Sequence, residues 1–162
     1  KHPDMADLNR IGLDQAKTEA LIDTLEGLLA SYSIYYQNVR GYHWNIQGPT
    51  FFELHEKFEE LYNDLKIKID EVAERIVTLG GTPSHSYAQY TKRSSIDESP
   101  VVTDGTEAVR GILTGLQALL IEQRTILALS DEADDEGTNA LMSDYITEQE
   151  KLAWMYSAWL GE

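Results

Sequence analysis

Cysteine is absent from the 162 residues, so neither disulfides nor thiolate metal ligands enter the argument, a usage that fits a cytoplasmic protein. Basic residues are scarce: 13 Lys and Arg stand against 28 Asp and Glu, a formal net charge of −15. Such a surface repels nucleic-acid phosphates and anionic membranes and attracts cations. No apolar run approaches the length of a membrane span, and no charged-then-apolar leader opens the sequence, so no membrane partner is expected. Also missing are internal repeats, low-complexity segments, a Gly-rich phosphate loop, a nucleophile paired with a base, and any serious strand candidate.

What the chain does have is helical periodicity. The length predicts one domain, with residues 1–12 as a short polar tail and residues 13–162 as an all-α helical bundle. Leu21, Leu25, Leu28, Tyr32, Tyr35, Val39 and Tyr42 recur at alternating steps of four and three, which predicts a first helix from about Leu13 to Asn45. Pro49 closes that helix off. Thr50 with Glu53 reads as a capping box, Gly80-Gly81 as a stop, and Phe51, Leu54, Phe58, Leu61, Leu65, Ile69, Val72, Ile76 and Leu79 as the inner stripe of a second helix. The Ser-, Thr- and Pro-rich residues 82–103 predict a long crossover with a short extra helix near Ser95 to Ser99, and His85 sits there as a solvated loop residue. A third helix is expected from Thr103 to Ser130, with Val109, Ile112, Leu116, Leu119, Gln123 and Ile126 facing inward. The acidic run Asp131 to Gly137 then makes a solvated turn, and a last helix, carrying Leu141, Tyr145, Leu152, Met155, Tyr156 and Trp159, runs from about Thr138 to the stop at Gly161. Four long helices with a long crossover after the second suit a ferritin-like bundle.

The chemistry is concentrated between His43 and Glu74. On the second helix His55 and Glu59 are an i, i+4 pair, as are Asp70 and Glu74, so each pair projects from one face. Taken alone, either pair reads as solvated surface, with Lys66 and Arg75 available as salt-bridge partners. One chain cannot join the two pairs, because fifteen residues of helix separate His55 from Asp70 by roughly 22 Å and ligands reach a metal at about 2 Å. A second copy of the helix, antiparallel about a two-fold axis, opposes positions whose numbers have a constant sum. With that sum at 129, His55 faces Glu74 of the partner and Glu59 faces its Asp70, twice over. A helical hairpin at Gly48-Pro49 brings His43 close to His55. Mixed imidazole and carboxylate ligation suits Fe(II), Mn(II) or Zn(II) better than Ca²⁺ or Mg²⁺. Tyr42 and Trp44, flanking His43, read as core or interface aromatics.

Through YHW at 42–44, FFELHEKFEELY at 51–62 and IDEVAERI at 69–76 followed by GG, the chain resembles the Dps family of mini-ferritins, named for DNA-binding protein from starved cells. The Glu-x-x-His motif of the larger ferritins' bundle-core centres is missing. The resemblance implies that His43, His55 and Glu59 of one subunit bind iron together with Asp70 and Glu74 of its two-fold partner. Position 59 carries Glu where many relatives carry Asp. It also implies a hollow dodecamer that oxidises Fe(II), preferentially with hydrogen peroxide, and keeps the ferric mineral inside, protecting against oxidative damage. Glu56 and Glu60 are then candidates for mineral nucleation, and the run from Asp131 for iron-admitting pores. Family members that bind DNA use mobile basic tails, whereas Lys1 and Arg10 here are matched by Asp4 and Asp7, so DNA is not an expected partner. Two other readings are a DNA-compacting nucleoid protein and a cage sequestering a divalent metal such as Zn(II) without redox turnover.

Overall fold

The computed structural model describes residues 5–162. Its α-helices are α1 (Gln15–Asn45), α2 (Phe51–Thr78), α3 (Tyr87–Arg93), α4 (Gly105–Glu132) and α5 (Glu136–Leu160). Strands are absent among the described residues, where only isolated bridges join Leu8 to Asp14 and Gln47 to Asp104. The four long helices form two hairpins, α1 with α2 and α4 with α5, which meet through α1 and α4.

Three of the four long helices start where a side chain can satisfy one of the first amide groups. Asp14, Asp104 and Asp135 accept from the backbone N–H of Lys17, Glu107 and Thr138 at 2.9, 2.9 and 3.0 Å, and replacing such a cap by alanine costs about 1 kcal/mol. The last helix therefore begins at Glu136, two residues earlier than Thr138. The predicted capping box at α2 does not form: Thr50 makes no capping hydrogen bond. Instead the chain enters α2 through Gly48, whose φ of 110° only glycine adopts easily, and whose carbonyl accepts from Phe51 N–H at 3.1 Å. Gln47 N–H donates to Thr103 O at 2.8 Å, so the α1–α2 corner is tied to the start of α4.

The predicted stripes of α1, α2 and α4 are the core; on α5 Tyr145 and Tyr156 are buried, Leu141, Leu152 and Trp159 are partly open, and Met155 is exposed. All seven periodic residues of α1 are buried, as are all six of α4; on α2 only Phe51 and Ile69 are partly open. Tyr35 packs against Gly115, where a Cβ would collide with the ring, and its hydroxyl donates to Ile112 O at 2.7 Å. Gln123 belongs to a closed buried network. Tyr32 OH donates to it, it donates to Gln149 Oε1 at 2.8 Å, and Gln149 donates to Tyr32 OH at 2.7 Å, so no polar atom of the three is stranded. Lys68 is buried on α2 and bridges Asp64 at 2.6 Å to Glu148 of α5 at 3.0 Å. Burial pushes its ammonium pKa down, but the two carboxylate hydrogen bonds outweigh that and raise it.

Three expectations are corrected. The crossover helix lies at Tyr87–Arg93, and residues 95–99 are irregular. It is held by Arg93 on Asp23 O of α1 at 2.7 Å and, within the crossover itself, by Tyr90 OH on Ser84 O at 2.6 Å. Residues 8–12 of the expected tail, with Leu13 and Asp14 of the expected first helix, form a turn around Asn9, whose Oδ1 accepts from Ile11 N–H at 3.1 Å and Leu13 N–H at 2.9 Å; Lys1 and Asp4 lie outside the described residues. Finally, Gly105–Glu132 is long and apolar enough to cross a membrane by length and composition alone, although no such run was expected; here it is a bundle helix whose apolar stripe packs inside the fold.

Candidate metal centre

His43, in the last turn of α1, and His55, in the second turn of α2, stack with ring centroids 3.8 Å apart and planes within 11°. Each ring bonds the other residue's backbone: His43 Nδ1 lies 2.6 Å from His55 O, and His55 Nδ1 lies 2.8 Å from His43 O. A carbonyl oxygen only accepts, so each Nδ1 carries a hydrogen, and Nε2 is the nitrogen left to ligate in the neutral ring. This is how metal-binding histidines are oriented, by a hydrogen bond from the nitrogen that does not ligate. The hairpin thus fixes both rings and both tautomers before any metal arrives.

Glu59 stands one turn on, its Oε1 3.8 Å from His43 Nε2. Tyr62 OH donates to the same oxygen at 3.4 Å, and its ring meets His43 edge-on at 5.2 Å. Burial, and then the Glu59 carboxylate, hold the Tyr62 hydroxyl above the usual phenol range. On the opposite side Phe51 stacks on His55 at 4.8 Å. The imidazole pair is therefore walled by Phe51 and Tyr62, not by Tyr42 and Trp44. Tyr42 is buried against Phe58, and Trp44 is exposed beneath Arg40. Sequence reasoning missed Tyr62, although its spacing of seven from His55 and three from Glu59 places it on the same helical strip.

Asp70 and Glu74 are exposed farther along α2. A hydrogen bond to Asp70, and Asp70's charge, raise the Glu74 carboxyl above its ordinary value, as expected where two like charges share a site. A cation would relieve that repulsion. Within one chain, no group of three or more His, Cys, Asp or Glu side chains among the described residues is arranged to hold a metal. The structure brings His43, His55 and Glu59 together at one end of α2 and leaves Asp70 and Glu74 at the other.

The neighbouring ionic groups take other roles. Arg75 turns away from Asp70 and Glu74 and binds Asp135 Oδ1 at 2.7 Å and Thr138 Oγ1 at 2.8 Å. Gly137 allows this, since a Cβ there would lie 2.8 Å from the guanidinium. Asp135 is only 2 % exposed, so it is removed from the solvated acidic run; Asp131, Glu132, Asp134 and Glu136 remain exposed. Glu60 is paired with Lys57 at 3.1 Å, whereas Glu56 is exposed. His85 is exposed in the crossover, as expected.

Residues 19–162 match the model of the family described as ferritin-like domain. Over 148 residues, 91 % of this chain and 93 % of the relative, the sequence is 41 % identical to the DNA protection during starvation protein of Porphyromonas gingivalis. The chain belongs to the Dps family of ferritin-like proteins. A Dps protein from Vibrio cholerae O1, described as a member of a broad superfamily of ferritin-like diiron-carboxylate proteins, superposes with a TM-score of 0.94 at 53 % identity. The match covers 98 % of this chain and 99 % of that one. An uncharacterised protein of Haemophilus influenzae is 55 % identical over 148 residues, 91 % of this chain and 92 % of its own length. Iron storage and protection during starvation are the broad functions of the Dps family.

Proposed function

We propose that this Dps-family chain is a mini-ferritin that binds Fe(II) as substrate between two copies of itself, oxidises it with hydrogen peroxide and stores the ferric product inside a hollow cytoplasmic dodecamer. The observation that carries the reading is the reciprocal His43–His55 clamp beside Glu59, half of a ligand set at the surface of a single chain. Asp70 and Glu74, already crowding each other on the same helix, are the complementary half. The antiparallel two-fold register opposes them, so that His43, His55 and Glu59 of one subunit and Asp70 and Glu74 of the partner subunit bind the metal.

The donor set suits the chemistry. Anionic oxygen donors favour Fe(III) over Fe(II), while imidazole nitrogens hold the reduced ion. Hydrogen peroxide takes one electron from each of two Fe(II) ions and, with two protons, leaves as two waters, so no hydroxyl radical is released. Tyr62 steadies Glu59 through its hydroxyl and keeps one face of His43 dry. The surface charge that draws cations also opposes DNA phosphates, which separates this reading from nucleoid compaction.

Stopped-flow absorbance after mixing Fe(II) with peroxide or with oxygen, together with sizing chromatography, tests the proposal. Rapid oxidation with peroxide by a twelve-subunit particle is expected. Tight divalent-metal binding with no oxidation above the buffer rate would instead make the protein a non-redox metal cage.

A further inference from the structure

The register that joins the half-sites also sorts the exposed apolar side chains of α2. Single exposed apolar residues are ordinary on a soluble protein. Here three of them share the strip that carries the candidate ligands: Phe52 is 83 % exposed, Ile67 60 % and Val77 56 %. Phe52, His55, Glu59 and Tyr62 follow one another at steps of three, four and three. Ile67, Asp70, Glu74 and Val77 repeat those steps. Each run is an apolar side chain, two candidate ligands and another apolar side chain, on one strip of the helix.

Opposing positions that sum to 129 sets Phe52 against Val77 of the partner subunit and Tyr62 against the partner's Ile67. That register was chosen to unite the ligand halves, and the apolar residues fall into it without adjustment. Between the two runs the exposed Asn63 and Lys66 face each other, so the seam is apolar at the ends of each site and polar near the axis.

We propose that Phe52, Tyr62, Ile67 and Val77 are the contacts on which a second copy of α2 seats, and that they wall each metal site at both ends. Phe52 and Val77 of the partner subunit close the site beyond His55; Tyr62 and the partner's Ile67 close it beyond Glu59. This rests on the two-fold reading of the site given above. Apolar walls exclude water from the ligands and slow the exchange of a bound ion with solvent.

The absence of cysteine gives a clean test. Phe52→Cys with Val77→Cys places two thiols roughly 37 Å apart along one helix, far beyond the ~6 Å Cα spacing of a disulfide, so any bond between them joins two chains. Mild oxidation of the assembled double variant should give linked dimers on a non-reducing gel, while either single variant should not; an assembled double variant that fails to link overturns the proposal. The swap Phe52→Val with Val77→Phe conserves contact volume and should still assemble, and loss of assembly also overturns it. For the walls, Phe52→Ala loaded with Co(II) alone should release the ion to excess chelator about tenfold faster than the unsubstituted shell. Equal rates overturn the sealing role. Linked dimers in a protein that never oxidises Fe(II) leave the seam standing and remove the ferroxidase reading. Oxidation that depends on His43 in a protein that does not link removes the seam and leaves the ferroxidase.

Discussion

The two hairpins are built from helices of similar length, yet they handle polar side chains in opposite ways. In α4–α5 polar groups find partners within the chain: Gln123 binds Gln149, Arg124 binds Glu150 at 2.7 Å, and Arg110 binds Glu162 at 2.7 Å. At the turn, Asp135 caps α5 and holds Arg75. In α1–α2 the imidazoles are oriented with equal care, but the buried His43 has its Nε2 3.8 Å from Glu59 Oε1, beyond hydrogen-bond reach, and the carboxylates of Asp70 and Glu74 stand exposed. A polar group whose partner lies within the fold reports architecture; one held rigid with no partner at bonding distance is the place to look for a ligand.

The contrast can be broken by substitution. The largest effect is expected from His43→Ala with His55→Ala, which should slow peroxide-driven Fe(II) oxidation by about 100-fold or more in stopped-flow traces, with the particle size unchanged on sizing chromatography. An unchanged rate would place the reacting iron elsewhere. In the other hairpin, Asp135→Ala removes a helix cap and strands the Arg75 guanidinium. It should cost about 3 kcal/mol in denaturant unfolding while oxidation per folded particle persists.

Glu122 sharpens the comparison with a smaller effect. Burial raises its carboxyl above the value of 4.5, and hydrogen bonds from Ser31 and Ser95 lower it only in part. The folded state therefore binds this proton more tightly than the unfolded state, and stability falls as pH rises from 4.5 through the raised value. In Glu122→Gln that segment of the pH–stability curve should flatten, and a variant as steep as the original would assign the slope to another group. Smallest of all should be the response to DNA: a gel shift at low salt should show no retarded band, and a retarded band would reverse the reading of the charge of −15.

Most of the bundle was legible from periodicity. Leu21 to Tyr42, and Val109 to Ile126, are buried as their spacing requires, because a stripe at steps of three and four has one way to hide from water. What the sequence concealed depends on distant partners. Asp135 looked like one more solvated acid, because Arg75 stands sixty positions away. The short helix was sought at Ser95–Ser99, whereas α1 captures Ser95 by its N–H on Ser31 Oγ at 3.0 Å and leaves Tyr87–Arg93 to coil. The ligand candidates were visible as spacing, and the proximity of His43 to His55 followed from the hairpin. The exchange of Nδ1 hydrogen bonds did not, since it depends on how two backbones approach across a corner.

That exchange carries a consequence for how the protein matures. Because each imidazole is tethered to the other's main chain, a folded subunit already holds both rings in one orientation. In the proposed two-fold centre, chemistry would then wait on encounter: a solitary copy would have nowhere to commit iron, and the centre would be completed only where neighbours have begun to enclose a space to keep the product.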